Sequence, residues 1–170
     1  MIVIKEKFKS AERPTVRGQL QLSYESRQKR WLRTRLLSGE DFLVQLPRAE
    51  MLRGGDLLLA SDEQVIEVLA APERVLHVVC ATASELARAA YHLGNRHVPV
   101  QIGSLFLRIQ ENHVLEEMLR GLGAAITRIE ASFEPETGPY SQAHHRRGDR
   151  EQASPAIHEY DRGAPYAEKL

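Results

Sequence analysis

The hydrophobic and polar positions along this 170-residue chain change their period near residue 72. Before that point, short apolar runs alternate with turn residues such as Gly54-Gly55-Asp56, which is typical of β-strands joined by tight turns. After it, strand-like segments alternate with apolar positions at helical spacing. In the first part we predict strands over residues 2–4, 19–24, 31–36, 42–46, 57–60 and 65–69.

The second part begins after Ala71-Pro72-Glu73 and has the predicted order βαββαβ. Its predicted strands cover residues 75–80, 98–102, 105–109 and about 124–130, and its helices cover about 82–93 and the segment between Asn112 and Gly123. This order is that of the ferredoxin-like split unit, in which both helices pack on one face of a four-stranded sheet. The other face must then meet the first part of the chain, a partner or water.

We therefore predict an α+β fold with three segments. A small all-β domain is expected over residues 1–72, and a ferredoxin-like domain over 73–140. From residue 141 to 170 the chain is polar, charged and poor in large aliphatic residues, which predicts a disordered tail.

The first predicted helix has clear start and stop signals. Thr82 and Glu85 form a capping-box pattern at its start. Its apolar face consists of residues spaced three and four apart, namely Leu86, Ala89, Ala90 and Leu93. We expect Gly94 to end the helix in the left-handed conformation, which glycine adopts without steric cost.

His97 follows this helix end, on a segment that we expect to be extended. Val98 precedes Pro99, and a residue before proline is pushed towards β geometry. Pro99 cannot donate a ladder hydrogen bond, which favours an edge strand. Because His97 is in phase with the polar positions of this run, we predict that it lies near an accessible margin of the sheet.

Charge and hydropathy narrow the range of partners. Lys plus Arg and Asp plus Glu both total 23, so no net field attracts nucleic acid or an anionic membrane. No stretch approaches the roughly 20 apolar residues of a membrane span, and the amino terminus lacks a signal-peptide core. We expect a cytoplasmic protein.

The single cysteine, Cys80, lies in an apolar run and is interpreted as a small buried hydrophobe.

One stretch of the first part is rich in basic residues. These are Arg27, Lys29, Arg30, Arg33 and Arg35. Since Trp31, Arg33 and Arg35 share one face of a predicted strand, a solvated strand face is favoured over a nucleic-acid patch.

The candidate chemistry of this chain rests on histidine. The chain contains His77, His92, His97, His113, His144, His145 and His158. No nucleophile elbow, phosphate loop, H-E-x-x-H or C-x-x-C motif is present, so catalysis has little support and we expect a protein that is not an enzyme. Neutral imidazole suits nickel, copper and zinc, and two copies of one histidine meeting across a two-fold axis would form a metal site.

Local context distinguishes these histidines. His77 lies in an apolar strand, where a hydrogen-bonded sheet residue is expected. His92 is in the last turn of its helix, and His113 takes the first helical position after Asn112. His97 alone has no local structural role, which makes it the first candidate for a ligand.

Four segments carry a resemblance to a known family. They are LPRAEMLRGGD (46–56), GNRHVPVQI (94–102), NHVLEEMLRGLG (112–123) and FEPETGPY (133–140). In sequence and order they resemble UreE, the family of urease accessory metallochaperones. The resemblance implies an amino-terminal β domain, a ferredoxin-like domain that forms a homodimer, and nickel bound at the dimer interface by the GNRH histidine of each chain, here His97.

The resemblance also implies roles for other residues and partners. His92 and His113 resemble peripheral metal ligands, and His144 or His145 would close the site from the tail. The chain would carry Ni(II) as cargo, with Zn(II) or Cu(II) as alternatives at the same site. Its partners would be the urease accessory GTPase and the apo-urease assembly complex. The tail has few histidines, so high-capacity nickel storage is not expected.

Two other functions fit the βαββαβ order less well. An acylphosphatase-like hydrolase could use Asn95 and Arg96, but no glycine-rich phosphate loop follows the first strand of the unit. An RNA-binding module would stack bases on aromatic residues of the open sheet face. Strand 75–80 has no aromatic residue and strand 105–109 has only Phe106.

Overall fold

Ten strands and three helices make up the part of the chain that this computed structural model describes, residues 2–8, 14–46 and 50–137. They are β1 (Ile2–Phe8), β2 (Val16–Leu22), α1 (Tyr24–Arg27), β3 (Trp31–Arg35), β4 (Asp41–Gln45), β5 (Leu57–Ala60), β6 (Val65–Ala70), β7 (Pro72–Val79), α2 (Ala83–Gly94), β8 (Gln101–Ile102), β9 (Phe106–Gln110), α3 (His113–Gly121) and β10 (Ala125–Ser132). The predicted tail, 141–170, lies outside the described residues. The predicted domain limits stay predictions.

The first sheet has six strands in the order β2-β6-β5-β1-β4-β3. The pairs β1–β4 and β2–β6 are parallel, and the other pairs are antiparallel. The sheet curls until its two edge strands approach each other. The backbone N–H of Leu37, just after β3, donates to the carbonyl of Gln19 in β2 at 3.0 Å. The curl encloses a core of Ile4, Leu20, Leu22, Leu36, Phe42, Val44, Leu46, Leu52, Leu58, Ala60, Ile66 and Val68.

The six predicted strands of this part are all present, but the end of the second predicted strand is helical. The prediction extended the second strand to Tyr24, but that residue begins the single turn of α1. The Ser23 side chain caps this turn by accepting from the backbone N–H of Ser26 at 3.3 Å. A cap of this kind satisfies a helical N–H that a strand would have paired elsewhere.

The second sheet confirms the ferredoxin-like order. Its strands are all antiparallel in the order β10-β7-β9-β8. Both helices contribute to the core on one face of this sheet, as the predicted apolar spacing requires. That core contains Leu76, Val78, Cys80, Ala89, Leu93, Leu107, Ile109 and Leu119. None of the helices in the described part of the chain is long and apolar enough to cross a membrane.

The predicted strand over residues 98–102 is mostly wrong, since only Gln101 and Ile102 form β8. The side chains of Val98 and Val100 do pack against the core of the second sheet, as their alternation indicates. The backbone carbonyl of Val100, however, accepts from the N–H of Glu136 at 2.8 Å. At Val100, a hydrogen bond to Glu136, which lies outside the sheet, therefore takes the place of the expected bond to a neighbouring strand.

Residues 133–136, here called the strap, cover part of the face that lacks helices. Glu134 N–H donates to the Gln101 side-chain oxygen at 3.2 Å, and Gln101 lies opposite Arg108 on the helix-free face. Because the strap leaves β10 at one edge of the sheet and bonds beside β8 at the other, it crosses this face. The sequence analysis did not predict this cover.

A buried arginine clamps the strap to the first part of the chain. The Arg27 side chain is fully buried. Its guanidinium donates to the carbonyl of Phe133, to the Glu134 carboxylate at 2.8 Å and to the carbonyl of Leu52 at 3.3 Å. The same carboxylate accepts from the Gly54 N–H at 2.9 Å. These hydrogen bonds offset part of the free energy that the guanidinium loses when burial removes it from water.

Replacing Arg27 by methionine is expected to lower the free energy of unfolding by about 3 kcal/mol. The methionine fills much of the space but leaves Glu134 without its closest cation. Urea denaturation followed by circular dichroism measures the change. Lys29→Met is the matched control, since the Lys29–Glu25 pair is exposed and water screens its attraction. Equal losses in the two variants would show that the clamp contributes no more than a surface ion pair.

Candidate metal centre

His97 lies in the turn that follows α2 and has an unusual backbone conformation. Its φ is 54°, in the left-handed region, and its side chain is exposed. Its N–H donates to the carbonyl of Gly94 at 2.9 Å, and the N–H of Val98 donates to the carbonyl of Leu93 at 3.2 Å. These are the two bonds of a Schellman motif, the common helix ending in which one residue is left-handed.

The prediction that Gly94 closes the helix in the left-handed conformation is therefore wrong. Gly94 is the last helical residue, and the left-handed position falls three residues later, on His97. The expectation that His97 is extended is wrong for the same reason. Apolar contact fixes the position of the motif, because Leu93 is buried and Val98 packs against the same core. Such contact often accompanies this helix ending.

The end of α3 shows what the same motif ordinarily requires. There Gly123 has φ of 90°, its N–H donates to Arg120, and the N–H of Ala124 donates to Leu119. The hydrogen bonds match those at the end of α2, with glycine in place of histidine. A left-handed L-residue costs roughly 1–2 kcal/mol. Non-glycine residues that bear such strain are concentrated at functional sites, which favours a function for the His97 imidazole.

A shallow pocket of about 320 Å³ adjoins this turn. Its lining residues are His97, Val98, Pro99, Gln110, Glu111, Asn112 and Leu115. The Asn112 side chain is occupied as the cap of α3, accepting from Leu115 N–H at 3.1 Å. Glu111 is paired with Arg128 at 3.3 Å. His97 thus supplies the imidazole that lines this pocket, beside Asn112 and Glu111 side chains that already have partners.

The structure places the other predicted ligands elsewhere. His92 is half-buried in the last turn of α2, with its ring centroid 5.5 Å from that of Tyr91. His113 is the exposed first residue of α3, as predicted. Neither borders the His97 pocket. His144 and His145 lie outside the described residues. Among those that are described, no group of three His, Cys, Asp or Glu residues could hold a metal ion.

His77 and Cys80 behave as the sequence predicts. His77 lies between strands of the second sheet, where Arg108 Nε donates to its Nδ1 at 3.4 Å. Burial, and then the nearby Arg108 charge, lower the pKa of His77, which favours the neutral form of the ring. Cys80 is buried in the helical core, and burial together with Glu85 raises the pKa of its thiol. A protonated, buried thiol is a poor metal ligand.

Sequence reasoning gave no role to two exposed apolar side chains near this turn. Tyr91 in α2 is 65% exposed, and Val114 in the first turn of α3 is 59% exposed. Each stands on a helix whose end adjoins the His97 pocket. The helical phase could have signalled both, because Tyr91 and Val114 fall outside the apolar faces of their helices.

Comparison with known proteins gives one consistent result. A family model of the C-terminal domain of the UreE urease accessory protein matches residues 73–161, and one of its N-terminal domain matches residues 4–71. The urease accessory protein UreE of Azotobacter vinelandii is 46% identical over 164 residues, covering 94% of this chain and 98% of that protein. UreE of Pseudomonas putida strain W619 is 49% identical, covering 85% and 89%. UreE of Nitrosospira multiformis is 44% identical, covering 89% and 86%.

The two Schellman positions should respond to mutation in opposite directions. His97→Gly removes a strained conformation and is expected to stabilise the metal-free protein by about 0.5–1 kcal/mol. Gly123→Ala introduces that strain and is expected to destabilise it by about 1 kcal/mol, since a Cβ there meets no neighbouring atom. Thermal unfolding in a chelating buffer measures both. A loss of stability in His97→Gly would show that the imidazole supports the fold.

Proposed function

This chain belongs to the UreE family of urease accessory proteins, and from that premise we propose that it is a nickel metallochaperone that delivers Ni(II) to apo-urease. Nickel is the cargo in this proposal and is bound only for transfer. The delivery would take place in the cytoplasm while the urease active site is assembled. No catalytic step of the chain's own is involved.

The conformation of His97 is the observation that supports this proposal most directly. Glycine would meet the backbone requirement at that position with less strain, as Gly123 does in α3. The turn is held by two backbone hydrogen bonds and by the packing of Val98, while the imidazole faces solvent. A ligand held this way is oriented before metal arrives and is accessible to a second protein.

A single imidazole is too weak a site, so the proposal includes a homodimer. Two copies related by a two-fold axis would each contribute His97 to one nickel ion at their interface. The exposed Tyr91 and Val114 support such a contact, because large apolar side chains at a self-associating surface lose water-exposed area on pairing.

Delivery requires that the site bind nickel and also release it. A buried cage of four protein ligands would resist transfer, whereas two exposed imidazoles leave positions for incoming ligands. We propose His144 or His145 of the tail as the closing ligand, and His92 and His113 as secondary positions during transfer. The acceptor side would be the urease accessory GTPase and the apo-urease assembly complex. Zn(II) or Cu(II) would compete for the same imidazoles.

Isothermal titration of nickel into the wild-type protein is expected to show a tight step at about one nickel per two chains, as a two-fold site requires. His97→Gly should abolish that step while keeping the fold, and light scattering on the same samples reports the dimer. His77→Gln is the control, because it removes an imidazole that lies in the second sheet beside Arg108 and has no part in the proposed nickel site. If His97→Gly binds nickel as the wild type does, His97 is not the primary ligand.

A further inference from the structure

A row of polar side chains crosses the helix-free face of the second sheet, and the proposed nickel transport uses none of them. Thr127 of β10 lies opposite His77 of β7, and His77 lies opposite Arg108 of β9. Side chains alternate between the two faces of a strand, and the buried Leu76 and Val78 face the helices. Thr127, His77 and Arg108 therefore share the helix-free face. We call these three side chains the polar row.

The charge of Arg108 is held in place but is not neutralised. Its guanidinium carbon lies 5.0 Å from the Phe106 ring centroid, and its Nε donates to Nδ1 of His77 at 3.4 Å. The Phe106 ring lies against the turn between β8 and β9, where a Cβ on Gly103 would overlap it. Among the described residues no carboxylate pairs with Arg108, so its two terminal nitrogens can donate to an acceptor from outside the chain.

The other two members of the polar row add neutral donors. Because Nδ1 of His77 accepts from Arg108, the proton of the neutral ring lies on Nε2, from which it can be donated. The lowered pKa of His77 favours this neutral form. Thr127 is exposed and adds a hydroxyl. The polar row thus combines several donors with one positive charge, which matches a monoanion.

An apolar row lies beside the polar row. It consists of Ala125, Val79 and Phe106, which lie opposite one another on β10, β7 and β9. Val79 is 42% exposed, and Ala125 is exposed as well. The two rows are two residues apart along each strand, which is about 7 Å. A ligand with an anionic end on the polar row and a compact apolar group would therefore cover Val79.

We propose that the two rows form a binding site for a monocarboxylate that carries a compact apolar group. The carboxylate would accept from the terminal nitrogens of Arg108 and from Nε2 of His77, since its two oxygens can bind both at once. The apolar group would remove Val79 and Ala125 from water. The single positive charge favours a carboxylate over a phosphate monoester, which carries about 1.5 to 2 negative charges at neutral pH.

The contacts of Phe106 argue against a nucleic acid strand on this face. A base would need an open face of an aromatic ring on which to stack. Phe106 is the only phenylalanine, tyrosine or tryptophan in the four strands. Arg108 lies over its ring, the His77 ring lies 4.8 Å away between centroids, and Gly103 adjoins it. The ring is thus already occupied by contacts within the chain.

Titration of para-fluorobenzoate into the metal-free full chain tests the proposal, with binding read from the fluorine resonance and from backbone amide shifts. We expect saturable binding with a dissociation constant of about 1 mM and shifts centred on His77, Val79 and Arg108. The uncharged para-fluorobenzamide has nearly the same shape and should bind at least about tenfold more weakly. Because no nickel is present, the outcome is separable from that of nickel delivery.

The same chemistry could come from a free acid or from the carboxyl end of a polypeptide. Competition against bound para-fluorobenzoate distinguishes these two sources. Displacement by N-acetyl-leucine at a lower concentration than by benzoate would assign the site to a polypeptide end. The reverse order would assign it to a free acid.

Two glutamine variants with the same loss of charge complete the test. Arg108→Gln is expected to weaken binding at least about tenfold, because it removes the permanent cation of the polar row. Arg74→Gln, on the other face of the same sheet, should leave binding unchanged. Val79→Glu, which sets a carboxylate of the chain beside Arg108, should weaken binding as Arg108→Gln does. Equal binding of benzoate and benzamide, equal binding by the two glutamine variants, or shifts confined to residues outside the two rows would overturn the proposal.

Discussion

The buried charge of Arg27 is the constraint on which the arrangement of this molecule depends. A guanidinium removed from water needs oxygen acceptors. The two terminal nitrogens of Arg27 donate to oxygens of Leu52, Phe133 and Glu134, while its Nε has no partner among the described residues. Meeting that requirement draws the strap against the first part of the chain. The strap also donates hydrogen bonds to the Gln101 side chain and to the Val100 carbonyl. These bonds hold the segment that follows His97 from the helix-free face of the second sheet.

At the candidate metal centre, a residue with a side chain occupies a backbone position that glycine would occupy with less strain. Two helices end with the same pair of hydrogen bonds, and only one of them has the glycine that this ending favours. At the end of α2, His97 has a strained φ, its backbone is held by hydrogen bonds and its imidazole is exposed. Strain of this size persists because the packing of Leu93 and Val98 leaves the turn no alternative.

The two sheets present different kinds of surface. Near the His97 turn, two of the exposed side chains, Tyr91 and Val114, are apolar and lie on helices, which suits contact with a second copy of the same chain. On the first sheet, the exposed face of β3 carries Trp31, Arg33 and Arg35.

Local periodicity and capping residues were enough to predict the order of strands and helices apart from α1, the caps at Thr82 and Asn112, and the burial of the helical faces. They also indicated His97 as an exposed candidate ligand. Tertiary contacts set the left-handed conformation of this residue, the departure of residues 98–100 from the sheet and the path of the strap across it. Those outcomes depend on partners distant in the chain, such as Arg27 and Glu134, which are 107 residues apart and leave no periodic signal.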